Sequence, residues 1–216
     1  MATPAKLVAP RPRDELVDLD IPLHPLRALT YFRLCSKKQL NPLFWSKLGK
    51  YRFDSPTASW GVCYAGETIA SAFQEVYADQ IRKGLLNYPE VAAYEVWRIN
   101  VPQTMRTIKL AGPTLTRMKA TLQSFVSGYK TSQASGRALM LNKADLDGLV
   151  YIGRRCGKPC LALFGDKTKP RPYQAQLTIS KCRPINEWQQ FWPLMDQLGV
   201  QFVNLPPTRA NSTWEA

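Results

Sequence analysis

The sequence predicts an α+β domain, because helical and strand-like segments are mixed along the chain without strict strand–helix–strand alternation. The clearest helix covers 67–83, where apolar residues recur every three or four positions and form one stripe. The stripe consists of Ile69, Phe73, Val76, Tyr77 and Ile81. The clearest strands are two short apolar runs at 148–152 and 159–164, which are typical of buried strands.

Further elements follow from the same patterns of hydrophobicity and from Gly and Pro positions. Strands are predicted over 27–35, 60–65, 91–101, 105–110 and 176–181. Helices are predicted over 113–128, 135–143 and 186–198, the last broken by Pro193. No internal repeat or linker divides the chain, so one domain is predicted over 26–205. An arm rich in Pro and charge (1–25) precedes it, and a Pro-rich tail (206–216) follows.

Composition limits the classes of function. The chain has 216 residues, 45% of them hydrophobic, and a net charge of +13, which favours anionic partners. The basic residues form small groups and no continuous track, so a nucleic-acid-binding protein is an alternative without a recognisable module. No run approaches the roughly 20 apolar residues of a membrane helix, and the N-terminus lacks a secretory signal. A cytoplasmic protein is therefore expected.

The five cysteines are odd in number and scattered, and reduced thiols are expected in the cytoplasm. Cys156 and Cys160 are the only close pair, and His24 is the only histidine. This set is too small for a convincing zinc site, so no metal is expected. A single histidine in the N-terminal arm also argues against serine–histidine catalysis.

Common enzyme signatures, such as a glycine-rich phosphate loop or a nucleophile elbow, are absent. Four residues have unusual placements instead. Arg33 lies inside an apolar strand, Arg52 in a glycine-containing loop, Tyr64 at a strand end and Glu75 in the middle of the 67–83 helix. Three of them have an ordinary interpretation. Arg33 fits an edge strand or a salt bridge, Tyr64 fits core packing, and Glu75 fits a solvated helix face.

Taken in order, the segments YFRLC, NPL, GKYRFDSP, WGVCYAGETIASAFQEVY and ADLDGLVYIGRRCGKPCLALF resemble RES domains over about 29–164. These are bacterial toxin-type proteins named after an arginine, a glutamate and a serine. The shared pattern runs from an arginine in an early strand to an RF loop and a tyrosine at a strand end. An A-x-x-E helix and a D-G-x-x-Y stretch before a strand ending in LF complete it.

The resemblance implies an ADP-ribosyltransferase-like fold with mixed or antiparallel sheets and flanking helices. It also implies NAD as the substrate, cleaved between nicotinamide and ribose. By matching positions, Arg33 and Arg52 would hold the cofactor phosphates, Tyr64 would lie near the nicotinamide and ribose, and Glu75 would be the named glutamate. The four are expected to converge on one cleft, with Glu75 and Arg33 as the catalytic pair. An Xre-type antitoxin is the implied partner, with homodimerisation, and nucleic acid would be bound only through the antitoxin.

Gly153 stands where the family carries its serine, and it is expected to contact the cofactor through its backbone. A serine hydroxyl would supply one hydrogen bond, worth about 0.5–1.5 kcal/mol. Restoring it in Gly153→Ser is therefore expected to change activity by less than about tenfold. Three kinds of protein remain open: an NAD-consuming enzyme, a binding module that has lost turnover, and a basic nucleic-acid-binding protein. Water, phosphate and protein are all possible acceptors.

Overall fold

The computed structural model describes residues 16–206, apart from 27, 28, 46, 48, 56, 127, 144, 167 and 168. Most of the predicted arm and nearly all of the predicted tail therefore lie outside the described residues. The described part of the arm packs on the domain, since Leu16 and Ile21 are buried in its core. The backbone N–H of His24 donates to the carbonyl of Thr107 at 2.7 Å.

A seven-stranded sheet forms the centre of the molecule, in the order β5-β6-β7-β2-β1-β4-β8. Its pairs are antiparallel except for the parallel pair β5–β6, and β3 and β9 form a separate parallel pair. The strands are β1 Thr30–Ser36, β2 Gly61–Gly66, β3 Leu85–Asn87, β4 Tyr94–Asn100, β5 Thr107–Lys109, β6 Gly148–Ile152, β7 Pro159–Gly165, β8 Thr178–Pro184 and β9 Gln201–Val203.

Helices cover the sheet. They are α1 Ile69–Arg82, α2 Tyr88–Ala92, α3 Pro113–Arg117, α4 Gln123–Val126, α5 Tyr129–Asn142 and α6 Phe191–Gln197. The predicted class, α+β with a mixed, mostly antiparallel sheet in a single domain, is confirmed. In the part of the chain that the structure describes, no helix combines the length and the apolar character needed to span a membrane.

Several predicted elements need correction. The strand predicted over 91–101 starts only at Tyr94, because the preceding residues form the short helix α2. The helix predicted over 113–128 is divided into α3 and α4, and Lys119 between them has a positive φ of 47°. Pro193 does not break a helix: it occupies the first turn of α6, where backbone N–H groups have no intrahelical partner.

The two faces of the sheet are covered differently. Tyr64, Tyr151 and Cys160 lie on the same face of the sheet, called the front face here. Tyr151 is paired with Cys160, and Cys160 is paired with Gly66, two residues after Tyr64. Successive side chains of a strand point to opposite faces, so Cys63 and Leu161 lie on the back face. The front face is covered by α1, α5 and α6 through two apolar clusters, and a third cluster covers the back.

The start of α1 is fixed by a capping box and by a glycine. The Ser71 N–H donates to the Thr68 hydroxyl at 3.0 Å, and the Thr68 N–H donates to the Ser71 hydroxyl at 3.0 Å. A Cβ at Gly66 would lie 2.6 Å from the backbone nitrogen of Ala72 and 2.7 Å from the Ser71 hydroxyl. Only glycine therefore lets β2 end this close to the helix that follows it.

We expect Gly66→Ala to reduce the free energy of unfolding by about 1–3 kcal/mol, since the added methyl group would press on helix backbone. Gly136→Ala is the matched control: its Cβ would meet Phe53 at an ordinary 3.7 Å inside α5. Alanine is a better helix former than glycine, so the control should be neutral or stabilising by about 0.5–1 kcal/mol. Urea unfolding compares the two, and an equal loss in both would contradict the close packing of α1.

Candidate functional site

Tyr64 anchors the site from the middle of β2. Its hydroxyl accepts a hydrogen bond from the Phe53 N–H at 2.8 Å and donates to the Asp54 carboxylate at 3.1 Å. Asp54 is completely buried. Burial, and then the neighbouring Asp54 carboxylate, raise the pKa of Tyr64 well above its ordinary value. The tyrosine therefore stays neutral and serves as a fixed hydrogen-bonding partner for the loop before β2.

The Asp54 carboxylate holds that loop in shape. It accepts hydrogen bonds from the backbone N–H groups of Lys50 and Tyr51, both at 3.1 Å. The Gln133 amide of α5 donates to the carbonyls of Gly49 and Tyr51 at 2.8 and 2.9 Å. The basic loop that carries Arg52 is thus tied to both the strand and a helix. Its shape is set by the fold.

Arg52 lies against the front face. Its guanidinium carbon is 5.4 Å from the centre of the Tyr151 ring, a cation–π distance, and the side chain is half-buried. Burial is the main cause that raises the pKa of Tyr151 well above its ordinary value. The neighbouring Cys160, Glu75 and Tyr64 raise this pKa further, and the positive charge of Arg52 lowers it. Tyr151 therefore lies where the charged and polar groups of the site meet.

Glu75 projects from α1 towards the turn that joins β6 to β7. Its Oε1 accepts from the Arg155 N–H at 3.4 Å and lies 3.7 Å from the Cys156 sulfur. One helical turn further on, Asp79 accepts from the Arg155 guanidinium at 2.7 Å, and hydrogen bonding to Arg155 lowers the pKa of Asp79. Glu75 is half-buried, so the interpretation as a solvated helix face does not hold.

Gly153 is the point of closest approach between this turn and α1. A Cβ there would lie 2.4 Å from the Cys156 sulfur, 2.6 Å from the Glu75 Oε1 and 3.0 Å from the Cys160 sulfur. Its φ is not in the left-handed region, so space is the constraint and backbone conformation is not. A serine at this position would displace both Glu75 and Cys156. The prediction that Gly153→Ser changes activity by less than about tenfold took no account of this crowding.

Arg33 does not join the other three residues. Its Nη1 donates to the Cys63 sulfur, on the back face of the sheet. The physical reason is the alternation of strand side chains: Leu34, the next residue of β1, points to the front face, and Arg33 therefore points away from it. The structure brings Arg52, Tyr64 and Glu75 together near Tyr151, with Gly153 beside Glu75, and it does not bring Arg33 there.

A groove of about 320 Å³ lies along α1. Gln74 and Ala78 form its helix side, and Arg82, Arg154 and Arg155 make its rim basic. Glu75 does not line the groove, but the backbone N–H of Arg155 donates to it. The groove offers a basic surface to an anionic ligand or a partner protein.

The sequence analysis gave no role in the site to four residues that lie there: Asp54, Tyr151, Cys156 and Cys160. Asp54 has one recognisable signal in the sequence, because an aspartate in a turn often accepts hydrogen bonds from nearby backbone N–H groups. The two cysteines were seen as a close pair. Their contact with Glu75, 81 residues before Cys156, required the fold.

Comparison with known proteins shows the family and the fold of this chain. The family model of the RES domain matches residues 30–181. The chain belongs to the RES-domain family. A structural relative of this RES domain is found in the crystal structure of the M. tuberculosis MbcT–MbcA toxin–antitoxin complex, with a TM-score of 0.57 and 14% sequence identity. The match covers 86% of this chain and 96% of that one, which shows a shared fold. A search of curated proteins finds no match.

We expect Tyr64→Phe to lower the free energy of unfolding by about 1–3 kcal/mol, because it leaves the Phe53 N–H and the buried Asp54 carboxylate without the hydroxyl. Tyr51→Phe is the control, since that ring is 51% exposed. Chemical unfolding followed by fluorescence measures both. Equal stability of Tyr64→Phe and wild type would show that the hydroxyl does not organise the loop.

Proposed function

We propose that this RES domain is a toxin that consumes NAD by breaking the bond between nicotinamide and ribose. The observation that supports the proposal most strongly is the meeting of Arg52, Tyr64 and Glu75 around Tyr151. These are three of the positions that the family resemblance assigns to NAD. They come from a loop, a strand and a helix that are separate in the sequence, so their meeting depends on the fold.

The chemistry of NAD suits these residue types. A guanidinium group binds phosphate oxygens through two parallel hydrogen bonds, which makes Arg52 the proposed contact of the pyrophosphate. The partly exposed Tyr64 ring offers an apolar surface beside it for the ribose and nicotinamide. Cleavage of the glycosidic bond develops positive charge on the ribose, and the Glu75 carboxylate would stabilise that charge. Nicotinamide already leaves from a cationic ring, so no strong general acid is required.

Three reactions share this first step. The carboxylate of Glu75 can orient water for hydrolysis, phosphate for phosphorolysis, or a protein side chain for ADP-ribosyl transfer. The acceptor stays open among the three. Gly153 supplies no side-chain hydrogen bond to the substrate, so recognition of the carboxamide would depend on backbone groups or water.

We further propose that a protein antitoxin, of the Xre type by family resemblance, controls this activity in the cytoplasm. The basic rim formed by Arg82, Arg154 and Arg155 lies beside Glu75, and an acidic partner surface would complement it. Such a partner would close the groove and keep NAD from the site. Homodimerisation stays a prediction of the resemblance.

The test is incubation of the purified full-length protein with NAD, with and without phosphate, followed by chromatography. Wild type should release nicotinamide, and Glu75→Gln should slow release roughly 10²–10³-fold, the usual cost of losing one electrostatic contact to a transition state. Arg52→Ala should mainly raise KM, by about 10–100-fold, because a charge-assisted contact to substrate is worth about 1.5–3 kcal/mol.

Glu187→Gln is the matched control, since it neutralises an exposed carboxylate outside the site and should leave the rate unchanged. Binding of NAD without nicotinamide release would favour the interpretation as a module that has lost turnover. Salt-sensitive DNA binding without any effect on NAD would favour the nucleic-acid interpretation and contradict the proposal.

A further inference from the structure

A second chemical feature lies at the same place: two thiols and a carboxylate face one another. The Cys156 and Cys160 sulfurs are 3.8 Å apart, and the Cys156 sulfur is 3.7 Å from the Glu75 Oε1. All three ligand atoms lie within 4.8 Å of one another. Thiolates and carboxylates together form the donor set of a cation such as Zn²⁺, which takes both sulfur and oxygen ligands.

We propose that Glu75, Cys156 and Cys160 form a binding site for a thiophilic divalent cation of the zinc type, and that the bound ion removes Glu75 from NAD cleavage. The binding half of this proposal is independent of the enzymatic activity. The inhibitory half rests on the function proposed above. No metal is expected from the sequence, where only the two cysteines lie close together, and the third ligand is contributed by a distant helix.

Two of the three distances between the ligand atoms match a tetrahedral ion, and the third, between the Glu75 Oε1 and the Cys160 sulfur, is within 4.8 Å. With Zn–S bonds of about 2.3 Å and a Zn–O bond of about 2.1 Å, two sulfurs lie about 3.8 Å apart, and a sulfur and an oxygen about 3.6 Å apart. The two contacts measured here are 3.8 and 3.7 Å. Little movement of the three side chains is therefore needed to place an ion between them, and the fourth position stays open for water.

The backbone holds the ligands in place. Cys156 lies in the tight turn between β6 and β7, where the Gly153 N–H donates to the Lys158 carbonyl and the Gly157 N–H donates to the Gly153 carbonyl, both at 2.9 Å. Cys160 belongs to β7 and is paired with Tyr151. Two of the three ligands are thus fixed on one hairpin, which reduces the entropy lost on binding.

Gly153 makes the arrangement possible. The position that its missing Cβ would occupy is within 3.0 Å of all three ligand atoms, so any side chain there would fill the space between them. Cys156 is partly exposed, which gives an ion a path from solvent. The residue that distinguishes this chain from the family pattern is therefore the residue that leaves room for an ion.

A bound ion would inhibit the proposed reaction through Glu75. The cation would neutralise Glu75 and hold its oxygen, so the carboxylate could no longer stabilise positive charge on the ribose. Removing the ion would make the Glu75 carboxylate available for the reaction again. Zinc would thus act as an inhibitor here and would have no part in the cleavage itself.

Titration of the reduced, metal-free, full-length protein with Co²⁺ tests the binding half, because thiolate ligands give cobalt a charge-transfer absorption. We expect saturation at one ion per chain and displacement of cobalt by Zn²⁺. Cys156→Ser should weaken binding by at least the 10–100-fold typical of losing even an outer-shell partner. Gly153→Ala should weaken it by about tenfold or more without changing a ligand.

Cys182→Ser is the matched control, because Cys182 is exposed on β8, away from the cluster. Circular dichroism checks that each variant is folded. If Gly153→Ala is not folded, the comparison of wild type with Cys156→Ser alone tests the metal site. Absence of a thiolate band in wild type, or equal binding by wild type and Cys156→Ser, would overturn the site.

Nicotinamide release at increasing Zn²⁺ concentrations tests the inhibitory half. Wild type should be inhibited over the concentration range in which zinc displaces cobalt, and Cys156→Ser should be at least tenfold less sensitive. Equal inhibition of both would refute the regulatory role while leaving the binding result intact. If the protein releases no nicotinamide at all, the proposed function fails, and the cobalt spectra still decide whether the site exists.

Discussion

The close packing of α1 against the sheet is the constraint on which the site depends. Glycines permit it at two points: Gly66, where β2 ends beneath the first turn of the helix, and Gly153, where the β6–β7 turn approaches Glu75. With a larger residue at either point, the helix or its side chains would have to move outward. The position of the central carboxylate is therefore set by two residues that have no side chain of their own.

A buried carboxylate fixes the opposite side of the site. Asp54 shapes the basic loop through the Lys50 and Tyr51 N–H groups, and Tyr64 connects it to the sheet. This network places Arg52 over Tyr151. Among the contacts of the described residues, no ion pair occupies the Arg52 guanidinium group. The Arg52 guanidinium and the Glu75 carboxylate then lie on one face of the sheet and come from different elements.

The sequence predicted the elements whose patterns are strong and local. The apolar stripe identified α1, and the short buried runs identified β6 and β7. It underestimated α5, where Ser132 and Ser135 donate hydrogen bonds back to backbone carbonyls and reduce the apparent helical preference. The three-residue strands β3 and β9 are too short to leave a pattern. Val76, assigned to the buried stripe of α1, is 43% exposed.

The candidate site was anticipated only through the family resemblance. The structure places Arg52, Tyr64 and Glu75 near Tyr151 and places Arg33 on the other face of the sheet. Strand β1 has apolar residues on both faces, so alternation in the sequence could not tell which face a charged residue would take. The contact between Glu75 and the two cysteines depends on a helix meeting a distant hairpin. No pattern within a single element could reveal it.

The most direct test of this account is a crystal structure of the Glu75→Gln variant with NAD, since the variant should bind the substrate and cleave it slowly. The account predicts NAD on the front face, with the pyrophosphate on Arg52 and the nicotinamide ribose between Tyr64, Tyr151 and residue 75. NAD bound on the back face beside Arg33, or along α1 without contact to residue 75, would contradict it.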